Sequence, residues 1–272
     1  MSSLSWLCRT VVMVSLVVAS LGPAAAEAPS EAWPDLREWL FADREIRDGA
    51  GVISLSAPVR AHDAAIVPLE ITALIPQARE RYIETIHLVI DQNPAPVAGV
   101  FHLTPKSGSA TIATRVRINE YTHVRAIAET SDGALYMASR FVKAAGGCSA
   151  PALKDHEQAI ARLGQMKVKA MTPFRPGEPN QVQVLISHPN YSGMQMDPLT
   201  RNWIPPHYVR DIEVSYDDQT VLRVEGDISL SENPSLHFSF VLEDPGELRV
   251  RVLDSEDRAF ETSVPLGRSA ES

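Results

Sequence analysis

The sequence is poor in cysteine, with two residues in 272, and poor in aromatic side chains, at 6%. It has no block of Lys and Arg, and its 25 basic residues face 34 acidic ones, for a formal charge of −9. That balance excludes nonspecific nucleic-acid binding, because the phosphate backbone calls for a dense cationic face. With 44% apolar and 22% charged residues, the composition excludes collagenous, disordered and polytopic membrane classes. The chain also lacks a Gly-x-Ser-x-Gly elbow, a P-loop and a Gly-x-Gly-x-x-Gly fingerprint, and no spacing of its carboxylates singles out an acid/base pair. No conventional enzyme class is implied, and no cofactor motif is present. Glycine is scarcer than proline, 14 against 20, which favours many short segments and turns over long helices.

What is present begins with a leader. Arg9 precedes an apolar run from Val11 to Leu21, Gly22-Pro23 breaks it, and Ala24-Ala25-Ala26 offers small residues for cleavage. The run is far below the ~20 apolar residues needed to span a bilayer. Residues 1–26 therefore read as a secretory signal, which implies export, a periplasmic location and no membrane span after cleavage. Cys8 and Arg9 would leave with the signal, so Cys148 would be the single mature thiol. A lone thiol in an oxidising compartment cannot form an intramolecular disulfide. It is buried and inert, shared with a partner, or covalently loaded.

The mature chain reads as two sheet-rich halves. Alternating or short apolar segments at 53–55, 66–71, 82–90, 97–103, 110–118, 123–128 and 135–142 suggest one sandwich. Segments at 181–186, 209–216, 221–224, 236–242, 248–252 and 260–264 suggest a second. In the first half Ile86, Leu88 and Ile90 share one face, while Arg115 and Arg117 alternate with Val116 and Ile118, which makes the arginine face the wet one. Leu36, Trp39 and Leu40 predict a short helix packed on the first sandwich, and 153–163 predicts a linker helix. The expected fold is all-β: two immunoglobulin-like sandwiches at 33–145 and 165–267, joined by a linker at 146–164.

Cys148 sits in that linker among Gly146, Gly147, Ser149, Ala150 and Pro151, which offer little to pack against. This predicts an exposed thiol, with Gly146 and Gly147 as a tether that lets an adduct lie close to the backbone. A second cluster, His188, Met194, Met196 and His207, has the residue types of a soft-cation site. Its spacing fits no metal motif, and a long inter-strand loop is the plainer reading.

Several stretches carry a resemblance. Asp43-Arg-Glu-Ile46, Ile53-Ser-Leu-Ser-Ala-Pro58, Val67-Pro68-Leu-Glu-Ile71, Asp91-Gln-Asn-Pro-Ala-Pro96 and Gly146-Gly147-Cys148 resemble the SoxY subunit of the thiosulfate-oxidising carrier. Ile186-Ser-His188-Pro189, Gly193, Ile204-Pro-x-His207 and Asn233-Pro-Ser-Leu-His-Phe238 resemble its partner SoxZ. In this order they resemble the fused, quinoprotein dehydrogenase-associated SoxYZ-like carrier proteins. The resemblance implies two immunoglobulin-like sandwiches in the periplasm, no catalysis by the chain itself, and Cys148 as the covalent attachment point for a sulfur-containing group. It implies as partners a periplasmic quinoprotein dehydrogenase or sulfur-metabolising enzymes. One difference stands out: SoxY ends freely in Gly-Gly-Cys-Gly-Gly, whereas here Ser149-Ala150-Pro151 and the whole second half follow the cysteine.

Overall fold

Fifteen strands and two short helices make up the computed structural model, which describes residues 29–151, 156–198 and 200–267. The signal segment at 1–26 lies outside the described residues. So does the start of the expected linker helix.

The first half contains α1 (Trp33–Phe41), β1 (Ile46–Asp48), β2 (Ile53–Ser56), β3 (Val67–Ala73), β4 (Ile83–Ile90), β5 (Val97–Leu103), β6 (Ile112–Val116), β7 (Thr122–Thr130) and β8 (Leu135–Val142). After α2 (His156–Ala161) come β9 (Met166–Ala170), β10 (Pro179–Ile186), β11 (Val209–Tyr216), β12 (Gln219–Gly226), β13 (Ser235–Val241), β14 (Gly246–Asp254) and β15 (Ala259–Leu266). All thirteen expected strands are present. Two strands escaped the sequence reading. In β1 only Ile46 is apolar. In β9 the alternation is real, but lysines at 167 and 169 point away from the core, as befits an edge strand. Among the described residues no helix is long and apolar enough to cross a membrane.

The two halves are joined edge to edge in both layers. One sheet runs β1-β8-β7-β4-β5-β12-β11-β14-β15 and the other β2-β3-β6-β13-β10-β9. The seam in the larger sheet is β5 against β12, antiparallel from Leu103↔Leu222 to Gly99↔Gly226. In the smaller sheet it is β6 against β13 at Ala113↔His237. Neither half keeps its core to itself: Leu103, Phe101, Val221, Leu222, Phe240 and Leu242 belong to one continuous apolar cluster. Side-chain bonds cross the same seam, as in Ser107 Oγ to Val221 O at 2.6 Å and Ser231 Oγ to Ala65 O at 2.8 Å. Pairing the four edges removes open ladder groups that would otherwise invite association.

Two local expectations change. The N-terminal helix packs Leu36, Leu40 and Phe41 against Val89, Ile127 and Leu135, but Trp39 is 68% exposed. It is Trp33 that faces the sandwich, beneath the Arg125 guanidinium at 4.2 Å. Arg117, expected on a wet face, is only 1% exposed. Alternation places it opposite Val116 correctly; what covers it comes from the segment around Gly147 and from the second half, at Asn190.

Candidate functional site

Residues 143–151 leave β8 and cross the sandwich end as a strap. Gly146 N–H donates to Asn119 O at 2.8 Å, and Gly147 N–H donates to Ile118 O at 2.9 Å. The two glycines have different tasks. Gly146 has φ +79°, a left-handed conformation, and its absent Cβ would meet only open space. Gly147 is buried, and a Cβ there would lie 2.0 Å from Ala64 O and 2.7 Å from Ile118 O. Gly146 thus provides the left-handed turn and Gly147 the close backbone approach, and the pair does not form a loose tether.

A loop from the second half closes over the other side of the strap. It starts after β10 and folds back through the bridges Tyr191↔His207 and Met196↔Trp203. Ser192 Oγ donates to Cys148 O, and Gln195 Nε2 donates to Ala150 O at 3.1 Å. Arg117 lies beneath both segments: Nη1 donates to Gly147 O at 3.3 Å and Nη2 to Asn190 O at 3.2 Å. These contacts leave Cys148 free of any disulfide and 0% exposed. The expected exposure is overturned by a feature no local reading could contain: the cover is more than forty residues away in sequence.

Burial pushes the Cys148 thiol up to about 11, and the nearby Arg117 charge only partly offsets this. In the unfolded chain the thiol ionises near 9, so it releases its proton before the folded one does. Stability is therefore full below pH 9 and falls as pH rises through about 11. The rate of Cys148 alkylation by iodoacetamide is expected to keep climbing from pH 9 towards 11. A profile that levels off near pH 9 would show that the strap does not hold the thiol protonated.

The loop is anchored by a buried polar group. His188 and His207 bring their Nε2 atoms to 3.2 Å, and His207 Nε2 lies 2.8 Å from Asp254 Oδ2. Asp254, 0% exposed at the end of β14, also accepts from the backbone N–H groups of Glu256 and Arg258, each at 2.9 Å. Burial would raise its carboxyl, but the bonds from His207 and Arg258 win and hold it at about 2. His188, buried and beside His207, is driven down to about 4 and is neutral.

The structure thus unites two residues of the expected His/Met cluster and adds Asp254, which sequence spacing did not mark. Met196 is 39% exposed beside Trp203, and Met194 is half-buried. The residue types of His188, His207 and Asp254 suit a cation. Their hydrogen bonds describe a brace instead. Asn190 N–H donates to His188 Nδ1 at 3.0 Å, so the neutral ring carries its proton on Nε2, the atom facing the cluster. The Arg258 guanidinium already lies against His207 Nε2 and 2.9 Å from Asp254 Oδ2. A protonated ring nitrogen and a resident cation both oppose a metal ion at that point.

Two family models match separate parts of the chain. Residues 37–148 match the family model of sulfur oxidation protein SoxY, and residues 168–265 match that of sulphur oxidation protein SoxZ. No curated protein sequence matches the chain. Among solved structures, the sulfur carrier protein SoxY from Chlorobium limicola f thiosulfatophilum is similar at 23% identity, covering 42% of this chain and 97% of that one, with a TM-score of 0.35. A superoxide reductase (neelaredoxin) from Ignicoccus hospitalis is similar at 15% identity, covering 40% of this chain and 90% of that one, with a TM-score of 0.31. The SoxY match ends on Cys148 itself, and the SoxZ match contains the loop that covers it. The chain therefore carries a SoxY-like segment followed by a SoxZ-like segment, a SoxYZ-like fusion in one polypeptide.

Proposed function

We propose that this protein is a periplasmic carrier that holds a sulfur-containing group covalently on Cys148 and hands it to partner enzymes in a quinoprotein dehydrogenase-associated system. The observation that carries the reading is the position of the single described free thiol at the last residue of the SoxY match, beneath the SoxZ loop. The chemistry needs no catalytic residue from this chain. The Cys148 thiolate attacks an activated sulfur of the donor, a new S–S bond forms, and the displaced group leaves with the electron pair of the broken bond. The thiol is oxidised and the donor reduced in one exchange, so no further oxidant enters. Transfer to the next enzyme is the same exchange in reverse sense.

Because the thiol is buried and its ionisation suppressed, loading proceeds from a state in which the strap has lifted. The strap is fixed at both ends, so its reach is short and a partner must come to the sandwich end. The signal-like run at 1–26 supports the location, and the resemblance to the fused SoxYZ-like carriers supports the dehydrogenase association.

Intact mass spectrometry of protein purified from its native periplasm tests the proposal. The expected result is a mass increment on Cys148 that reductant removes and that is missing in Cys148→Ser. A bare thiol in every preparation overturns it. Burial of the thiol favours one second reading, a noncatalytic accessory module that docks on the dehydrogenase and in which Cys148 only packs. A Cys148→Ser strain with undiminished dehydrogenase-dependent growth would select that reading.

A further inference from the structure

Two buried arginines in the first half make an instructive contrast. Arg125 has a dedicated counterion: Nε and Nη2 bond the Asp91 carboxylate at 2.9 Å and 2.7 Å. Arg117 has none. Its two bonds go to the carbonyls of Gly147 and Asn190, its Nε–H has no hydrogen-bond partner, and among the described residues no carboxylate reaches salt-bridge distance. Glu232, half-buried, and Asp63, exposed, act on it only through space. A buried cation without a counterion is costly, and an unpaired donor on it adds to the cost. That cost is borne one peptide bond away from the carrier thiol, since Nη1 holds the carbonyl of the residue before Cys148.

Resting on the carrier reading above, we propose that Arg117 is the counterion-seeking residue that receives an anionic group carried on Cys148. The orphan Nε–H is one donor for it. A second is released when the strap lifts and Gly147 O leaves Nη1. The guanidinium then exchanges a neutral carbonyl for an anion and gains the charge partner that the bare-thiol state withholds, in a place where low dielectric strengthens the attraction. Arg117 thereby discriminates among adducts by charge: anionic groups are held, neutral ones are tolerated, and cationic ones are rejected. Arg115, two residues earlier on the same face, also has an Nε–H without a hydrogen-bond partner, but it is only half-buried and its guanidinium bonds Asn233 O at 2.7 Å and no strap carbonyl, so it does not share this role.

The test uses two methanethiosulfonate reagents of equal linker length, one sulfonatoethyl and one trimethylammonioethyl. In each, the thiolate attacks the sulfenyl sulfur, the S–S bond forms and methanesulfinate leaves. Both adducts are installed on the full chain in urea, refolded and verified as stoichiometric by intact mass, so slow access to the buried thiol does not enter. The anionic adduct is expected to melt above the cationic one by about 5 °C or more. The gap is expected to keep its sign in Arg117→Lys, to collapse in Arg117→Met, and to survive in Arg115→Gln. Equal melting of the two adducts in the unsubstituted protein overturns the proposal. So does a gap that persists in Arg117→Met. If Arg117→Met does not fold, the wild-type gap, Arg117→Lys and Arg115→Gln still decide the case. This outcome is separate from that of the carrier reading, which stands or falls on the native mass increment alone.

Discussion

Gly147→Ala is expected to expose Cys148. The new Cβ would fall 2.0 Å from Ala64 O and 2.7 Å from Ile118 O, and both are backbone atoms that cannot swing aside. Ile118 is itself tied to the same carbonyl through its N–H at 2.8 Å, so relief must come from the strap. Overpacking of this kind costs about 1–3 kcal/mol. Most of that cost falls on the closed strap and little on the open one. The population of the open state should then rise roughly tenfold to hundredfold. Native-state modification of Cys148 by a thiol reagent, followed at fixed pH, should accelerate by the same factor. Ser149→Ala, at an exposed neighbour, serves as the comparison and should leave the rate within twofold to threefold. An unchanged rate in Gly147→Ala would mean that the strap is not the gate. The carrier reading predicts a further consequence: the variant should load faster and retain its cargo less well.

Acidification should destabilise the cover loop through His188. This ring titrates at about 4 in the folded chain against an ordinary 6.5, because burial and the neighbouring His207 disfavour its charged form. Unfolded chains therefore bind a proton at His188 that folded chains refuse. Stability from this group is complete above pH 6.5 and declines as pH falls towards 4, by at most about 3 kcal/mol. Asp254 adds a loss of the same sign at lower pH. Its carboxyl is held at about 2, so the advantage of its charged form disappears as pH falls from about 4 towards 2. Denaturant unfolding across pH 7 to 4 would measure the first effect. His188→Asn should flatten that slope, since an amide oxygen at the Nδ1 position can still accept from Asn190 N–H but has no proton to gain. A slope unchanged by His188→Asn would assign acid sensitivity to other groups. The loop in question bonds Cys148 O and Ala150 O, so thiol reactivity should rise with the loss of stability.

Much of this protein could be read from its sequence alone because the signals concerned are local. Period-two alternation in β10, β11, β13 and β14 depends only on a strand having one buried face, so these strands appear where alternation places them. The SoxY and SoxZ likeness is likewise written in residue order. Cys148 was identifiable because cysteine is scarce. Exposure was another matter. Small neighbours predicted a free thiol, and the strap is indeed made of small residues, but Gly147 is small because two carbonyls press on it. Arg117 was assigned to solvent because alternation tells which face a side chain takes and not what lies on that face. In the folded protein that face is covered by the strap and by Asn190, seventy-three residues away in the chain. The edge-to-edge joining of the halves through β5 with β12 and β6 with β13 had no sequence signal either, since any strand with an unpaired ladder can accept any other. Sequence determined the strands, the SoxY and SoxZ likeness and the place of the thiol. Only the tertiary structure decided that the thiol is buried, that an unpaired cation lies beside it, and that the second half provides its cover, because burial and electrostatics depend on contacts between residues that are distant in the chain.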